Sequence, residues 1–512
     1  MKSNFAPAAN FLEYSALRGN FNPVLRRANA FLFLALLYGL SAHAQPDLKS
    51  IVTAAQTLRD EGDFTGAAAA YRSALNDPTL TALQRKDVAY QIDLLQRIRL
   101  DYKLTTDELF AALQKSVRDL TRAEFDRWVA EGRFDKMKID GVDRFVDASV
   151  SNLFFRYPEL NPRRLDGKNT IAQQQGRLQL ARAIQKAARE TGSPFVLPHH
   201  FRNTMTVTVS PEAAPDGATI RAWLPIPRKY PYQDDFSIIS SAPAIKELAN
   251  ADSPIRSAYL EQPAQTGQPT VFSLTYGYTR WGVSFPLDPA KALPADLRDA
   301  ELKPYTEEGP HVVFTPAIRA LARAADAGAT NPAVRAKAYY DWITANVKYS
   351  FAREYSTLTN ISDYCLLHRY GDCGQEALLF ITLCRSAGIP ARWQSGWDMF
   401  PNAHDIHDWT EIYLAPYGWV PVDPWAGLFA TQQCDALSPA ERIELRDFYF
   451  GGLDPYRMAA NSDHSQTLQP AKRSARSDDV DFQRGELETG DTNIYFDKYT
   501  YHLEVEETHE AR

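Results

Sequence analysis

The chain has little of several things, and each shortage narrows its chemistry. Its main apolar run, Ala28 to Leu40, offers about 13 positions where ~20 are needed for a helix to cross a bilayer. Four cysteines in 512 residues are too few for a disulfide scaffold. A net charge of −7 with no basic patch excludes a nucleic-acid surface as the main business, because duplex binding needs concentrated Lys and Arg. There is no Gly-rich phosphate loop, no EF-hand pattern and no paired CxxC motif, so neither a cofactor nor an obligatory metal is expected. What remains is ordinary globular composition, 45% hydrophobic and 23% charged, long enough for two to four domains.

The N-terminus reads as a targeting signal. Arg26 and Arg27 precede the apolar run, and Ala42-His43-Ala44 is a small-x-small cleavage pattern that makes residues 1–44 a signal peptide and Gln45 the mature N-terminus. Export to the periplasm or the extracellular space is expected, with no stable membrane insertion after cleavage. An uncleaved anchor is the alternative. The stretch before Arg26 is long for such a signal, so either the true start lies downstream of Met1 or the signal is unusual.

From residue 45 to 192 the pattern is helical. Glu61-Gly62-Asp63-Phe64, then Ala67, Tyr71, Ala74 and Pro78, follow the offsets of one tetratricopeptide-like hairpin. One copy cannot build a solenoid, which needs about three. Between 193 and 305 the period changes to two, as in Met205, Val207 and Val209 or Phe272, Leu274 and Tyr276, and a β-rich domain is expected. Helical periodicity returns from Thr315 to Asp326 and from Pro332 to Val347, where Asn331 can cap and Pro332 takes the first helical position. The polar stretch Asn461 to Asp481 reads as a loop. Tyr499 to Val505 reads as a strand, so the C-terminal extension, residues 451–512, is expected to dock on the core.

The chemistry concentrates between Tyr370 and Leu428. Cys373 lies in Gly371-Asp372-Cys373-Gly374-Gln375, ahead of an apolar run, Glu376 to Ala387, with the length and spacing of a buried helix. At a helix N-terminus the unpaired N–H groups and the positive end of the dipole favour a thiolate. His407 opens a strand pattern through Leu414, and Trp419 to Pro424 reads as its antiparallel partner beyond the turn Pro416-Tyr417-Gly418, which sets His407 beside Asp423. A thiol needs a base beside it and a group to orient that base; His407 and Asp423 suit those roles for acyl transfer through a thioester. The backbone N–H of Cys373 is the first candidate oxyanion donor. Cys384 follows Cys373 by three helical turns, roughly 16 Å along, and reads as a core residue; among Cys365, Cys384 and Cys434 at most one bridge can form. On residue type alone, a zinc site from Cys373, His404, His407 and Asp423 competes, although His-x-x-His in a strand points its members to opposite faces.

The motif Gly-Asp-Cys-Gly with its helix ending Ala387-Gly388-Ile389-Pro390-Ala391-Arg392, then His407-Asp408-Trp409-Thr410-Glu411-Ile412-Tyr413, then Gly418-Trp419-Val420-Pro421-Val422-Asp423-Pro424, resembles the transglutaminase-like superfamily across roughly Pro332 to Phe429. The resemblance implies an α+β, papain-like core at residues 306–450, a helix carrying Cys373 packed on an antiparallel sheet, and a catalytic triad of Cys373, His407 and Asp423. It implies an exported cysteine acyltransferase, protease or amidase acting on a protein or peptide substrate, by hydrolysis or by transfer to an amine. That family also has members without catalysis, so an extracytoplasmic binding or scaffold protein is the alternative. Trp393, Trp397, Trp409, Trp419 and Trp425 fall around the predicted site, either lining an acyl groove or filling the sheet core.

Overall fold

The computed structural model describes residues 48–167 and 170–508. The expected signal peptide lies outside the described residues. The chain divides into two compact units, one ending at Ile92 and one running from Asp93 onward.

In the first unit the helices Leu48–Asp60 and Phe64–Leu75 form a hairpin. Asp63 caps the second, its carboxylate accepting from Gly66 N at 2.7 Å, and Phe64, Ala67, Tyr71 and Ala74 are its buried face. Small residues at two of those four positions let the helices approach closely.

The second unit is an α+β structure. Short helices between Thr106 and Arg156 close around Phe125, Trp128 and Leu153. Helix α1 (Ile171–Thr191) ends at Gly192, whose φ of 70° is the left-handed stop that glycine adopts without strain. The β-rich part follows, with strands β1 (Phe195–Val209), β2 (Thr219–Pro225), β3 (Gln233–Ala242), β4 (Ser257–Pro263) and β5 (Thr270–Ser284). In β1 the alternation of Met205, Val207 and Val209 buries one face, as period two requires. Helices α2 (Pro316–Asp326) and α3 (Pro332–Asn346) lead to α4 (Cys373–Ser386). Residues Gly374 to Arg385 of α4 are all buried, so this helix is enclosed on every side rather than amphipathic.

Beside α4 stands a four-stranded antiparallel sheet. It comprises β6 (Ala391–Asp398), β7 (Asp405–Leu414), β8 (Gly418–Val422) and β9 (Arg457–Asn461), in the order β8-β7-β6-β9, with helix α5 (Pro424–Gln432) following β8. The chain end differs from its expected destination. Strand β10 (Glu486–Thr489) pairs with β2, and β11 (Tyr499–Thr508) pairs with β1 from Tyr499↔Val209 to Thr508↔His200, so both close the β-rich sheets instead of the sheet beside α4. Only β9 of that extension joins the sheet of β6 and β7. The polar stretch between β9 and β10 is irregular, as expected, but it is not a surface loop: Leu468, Ser477, Asp478, Val480, Asp481, Phe482 and Gln483 are buried in it.

Candidate active site

Asp372 begins the site. It caps α4, its carboxylate accepting from Gln375 N at 3.0 Å while the Gln375 side chain returns to Asp372 N at 3.3 Å. Cys373 is thereby the first helical residue, and its N–H and that of Gly374 have no intrahelical acceptor. Gly374 is needed here: a Cβ would meet the Tyr355 hydroxyl and come within 2.7 Å of Asp408 Oδ2.

Strand β7 carries His407 and Asp408 past this helix start. His407 Nε2 lies 2.8 Å from Asp423 Oδ2, and both residues are buried. Asp423 ends β8 and caps α5, its second oxygen accepting from Ala426 N at 2.9 Å. Arg457 of β9 places Nη1 2.9 Å from Asp423 Oδ2. Burial alone would raise the Asp423 pKa, but the charges of His407 and Arg457 outweigh it and hold the carboxyl below its usual range. Around this pair three carboxylates, Asp398, Asp423 and Asp454, interlock with two guanidiniums, Arg177 and Arg457, with Arg177 to Asp398 at 2.7 Å. The network so carries one negative charge in excess when the imidazole is neutral.

The three residues singled out from sequence are brought together in part. His407 and Asp423 are bonded, whereas the side-chain hydrogen bond of Cys373 goes to Asp408 Oδ2 at 3.5 Å and not to His407. Burial pushes the Cys373 thiol well up, and the charges of Asp408 and Asp372 add to that, against a smaller opposing contribution from the Asp408 backbone N–H. The helix dipole acts at one end of the sulfur's surroundings, while two carboxyl groups act from the side.

Asp408, Gln483, Arg457 and Tyr355 are site residues that the sequence reading missed. Asp408 is raised well above the usual carboxylate range by burial, then by Asp481 and Asp372. Its Oδ1 accepts from Gln483 Nε2 at 2.5 Å, and the same nitrogen lies 3.4 Å from the His407 carbonyl oxygen. Asp372 is raised to about 6 by burial, against the hydrogen bond it accepts from the Tyr355 hydroxyl at 2.7 Å. Asp408 had a visible signal, a carboxylate on a strand face that otherwise carries Ile406, Thr410, Ile412 and Leu414; Arg457, Gln483 and Tyr355 had none.

The tryptophans divide. Trp393, Trp397 and Trp409 are buried in the sheet core. Trp425 sets its ring 4.8 Å from that of His407, edge to face, and Trp409 stacks on the same imidazole at 5.8 Å. Trp419 packs with Tyr305, Tyr413 and the Arg392 guanidinium, away from the histidine. All four cysteines are free, and Cys365, Cys384 and Cys434 are buried. Among the described residues no three or more His, Cys, Asp or Glu side chains are grouped to hold a metal ion, and no helix is long and apolar enough to cross a membrane.

No curated protein matches the chain. Among solved structures, a candidate cysteine protease from Cytophaga hutchinsonii is similar over 61% of this chain and 92% of its own, at 19% identity and a TM-score of 0.40. The periplasmic domain of TgpA from Pseudomonas aeruginosa is similar over 51% of this chain and 95% of its own, at 16% identity and a TM-score of 0.26. Residues 319–424, which run from α2 to the first residue of α5 and include Cys373, His407 and Asp423, match the family model of the transglutaminase-like superfamily. The matched stretch holds the enclosed helix α4 and the strands β6, β7 and β8 beside it.

Proposed function

We propose that this chain is an exported, cysteine-dependent acyl-transfer enzyme that acts on amide bonds of proteins or peptides. The observation that carries the reading is the buried His407–Asp423 pair, 2.8 Å apart, on the strand that passes the start of the Cys373 helix. Because Nε2 is engaged by Asp423, Nδ1 is the imidazole nitrogen left to take the thiol proton. The sulfur must exchange Asp408 for that nitrogen, and in unliganded sites such bonds are commonly long and tighten when substrate binds.

In the reaction the Cys373 proton passes to His407, the sulfur attacks the amide carbonyl carbon, and the carbonyl electron pair moves to oxygen. The Cys373 N–H stabilises that oxyanion. Collapse breaks the C–N bond, His407 returns the proton to the leaving amine, and a thioester remains for water or a second amine to resolve. The excess negative charge of the network around Asp423 stabilises the imidazolium in between. Asp423 orients the ring and Arg457 fixes Asp423.

The test is mass spectrometry of a peptide pool incubated with wild type and with Cys373→Ala, with and without a primary amine, alongside labelling by a thiol-reactive probe. Wild type should release or transfer amides and Cys373→Ala should lose at least about a thousandfold of that rate. Products that carry the added amine mark transfer; products of water alone mark hydrolysis. Equal labelling of mutant and wild type would sink the nucleophile assignment. Absence of turnover together with partner binding unchanged in triad variants would favour the scaffold reading instead. Export predicts a mature chain that begins at Gln45, read by N-terminal sequencing of the extracytoplasmic protein.

A further inference from the structure

A polar cavity of about 180 Å³ lies in the β-rich part, lined by Pro227, Arg228, Lys229, Gln233, Asp234, Phe236, Ala251 and Arg256. Its chemistry is unlike that of a structural ion-pair cluster. Arg256 is 8% exposed, yet among the described residues neither it nor Arg228 has a carboxylate within ion-pair distance. Their partners are backbone carbonyls: Arg256 donates from Nη1 to Pro227 O at 2.5 Å and from Nε to Ala249 O at 3.5 Å. Arg228 donates to Ser253 O at 3.0 Å, Asp252 O at 2.8 Å and Lys229 O at 3.2 Å. A guanidinium has five N–H donors. Two remain on Arg228 and three on Arg256, including both on Nη2 of Arg256.

The charge balance is positive. Three cationic side chains face the cavity against one anionic one, and that one, Asp234, is already paired with Lys229 at 3.0 Å. The Asp252 carboxylate acts on Arg256 from outside the lining. Desolvation and then the neighbouring Arg228 charge lower the Arg256 pKa, as for a cation held without a counterion. Two like charges kept this close with neutral acceptors are held in place by the fold: Arg256 lies over the Phe236 ring at 4.4 Å, and Arg228 is fixed by three carbonyls. Such a pair is preorganised for a planar or tetrahedral oxyanion, which accepts charge-assisted hydrogen bonds from both. Drug-sized ligands fill about 300 Å³ or more, so this cavity suits a small anion or the anionic end of a larger molecule.

We propose that this cavity is a binding site for a carboxylate or phosphate group, held by Arg256 and Arg228 with Lys229 at its rim. It is separate from the Cys373 site and does not depend on the function proposed for that site. Strand β9 connects them: Gln233, which lines the cavity, holds both backbone groups of Ala459, at 2.7 Å to O and 2.9 Å from N, Arg228 N donates to Ala459 O at 2.8 Å and Arg256 N to Ala460 O at 3.0 Å, and Ala459 is two residues from Arg457.

The experiment is isothermal titration of the full-length protein with inorganic phosphate and, separately, with succinate, at ionic strength held constant with sodium chloride. Saturable binding of either at one site per chain is expected. Arg256→Met and Arg228→Gln should each weaken it about tenfold or more, the loss expected for a charge-assisted contact. The tighter of the two ligands assigns the oxyanion type. Circular dichroism checks that the variants fold, and Arg228, which is half-buried, supplies the variant least exposed to folding failure. Heat that vanishes at matched ionic strength, or affinity unchanged in both folded variants, overturns the site.

Discussion

After burial, Asp408 is the strongest influence on how readily Cys373 ionises. Its Oδ2 stands 3.5 Å from the sulfur, and an ionised carboxylate there opposes a thiolate. Burial, then the Asp481 and Asp372 charges, raise the Asp408 pKa well above the usual carboxylate range, and its Oδ2 accepts from the Cys373 thiol. Wherever Asp408 is ionised, its charge adds to burial in suppressing the thiolate. Asp408→Asn keeps the shape and removes the charge. Iodoacetamide should then alkylate Cys373 about tenfold faster or more at alkaline pH, with the midpoint of the rate-against-pH curve moved down. An unchanged midpoint in a folded Asp408→Asn protein would show that the carboxylate does not control the sulfur. Gln483→Ala, which removes the donor to Asp408 Oδ1, should change the same curve while leaving the His407–Asp423 pair in place.

The elements around the site differ in how far they could be read from sequence, for a physical reason. Helix α4 and the β7–β8 hairpin were legible because each is specified locally, by Asp372 and Gln375 at the cap, by an apolar run of helical length, and by the turn at Tyr417-Gly418. The segment between β9 and β10 reads as a loop and is irregular, but its polar residues give no sign in the sequence that it is buried. They are instead internal partners: Lys472 to Glu486 at 2.6 Å, Arg484 to Glu354 at 2.6 Å, and Gln483 to Asp408. Buried charge satisfied across about 130 residues of sequence leaves no local pattern to find. Strand β9 could not be read as a neighbour of β6 for the same reason, and its fit depends on Gly396. A Cβ there would run into the Met458 carbonyl, a backbone atom that cannot turn aside. The register between β6 and β9 already shifts between Ser395 and Gly396, so the clash falls where the pairing is least regular. Gly396→Ala should cost about 3 kcal/mol in urea unfolding and, because β9 carries Arg457, should lower activity with it. Stability within about 0.5 kcal/mol of wild type would mean that β9 is not held against Gly396 as described.

At the scale of the whole second unit, several carboxyl groups are buried with few charged partners, and they set the pH at which the fold is most stable. Burial and the Glu354 charge raise Asp101 to about 7, burial raises Asp372 to about 6, and burial raises Asp478 to about 6. Glu376, buried on α4 with neither carboxylate oxygen hydrogen-bonded, is raised well above its usual range by burial and by Asp372 and Asp423. In the unfolded chain all four titrate near 4. Between about pH 4 and 7 the folded protein therefore holds more protons than the unfolded one, and stability falls as pH rises through that window. Asp423 and Asp398 work in the opposite sense. Burial opposes their ionisation, but His407 and Arg457 at the first and Arg177 and Arg457 at the second hold them low, Asp398 at about 2, and their contribution is lost as pH falls below about 4. Stability should so be greatest near pH 4 to 5, and the urea midpoint should drop between pH 5 and 8. Asp101 should contribute about 3 kcal/mol and Asp372 about 1 kcal/mol to that drop, since a tenfold difference in proton affinity between folded and unfolded chain is worth about 1.4 kcal/mol and part of the Asp372 effect falls below pH 5. Asp101→Asn keeps one oxygen to accept from Glu354 N, turns an amide N–H toward the Thr357 hydroxyl and removes the titration, so it should flatten the slope between pH 5 and 7. A midpoint that rises toward pH 8 in wild type, or a slope unaltered in Asp101→Asn, would mean that these carboxyls reach solvent or a cation in the folded protein and are not held neutral by burial.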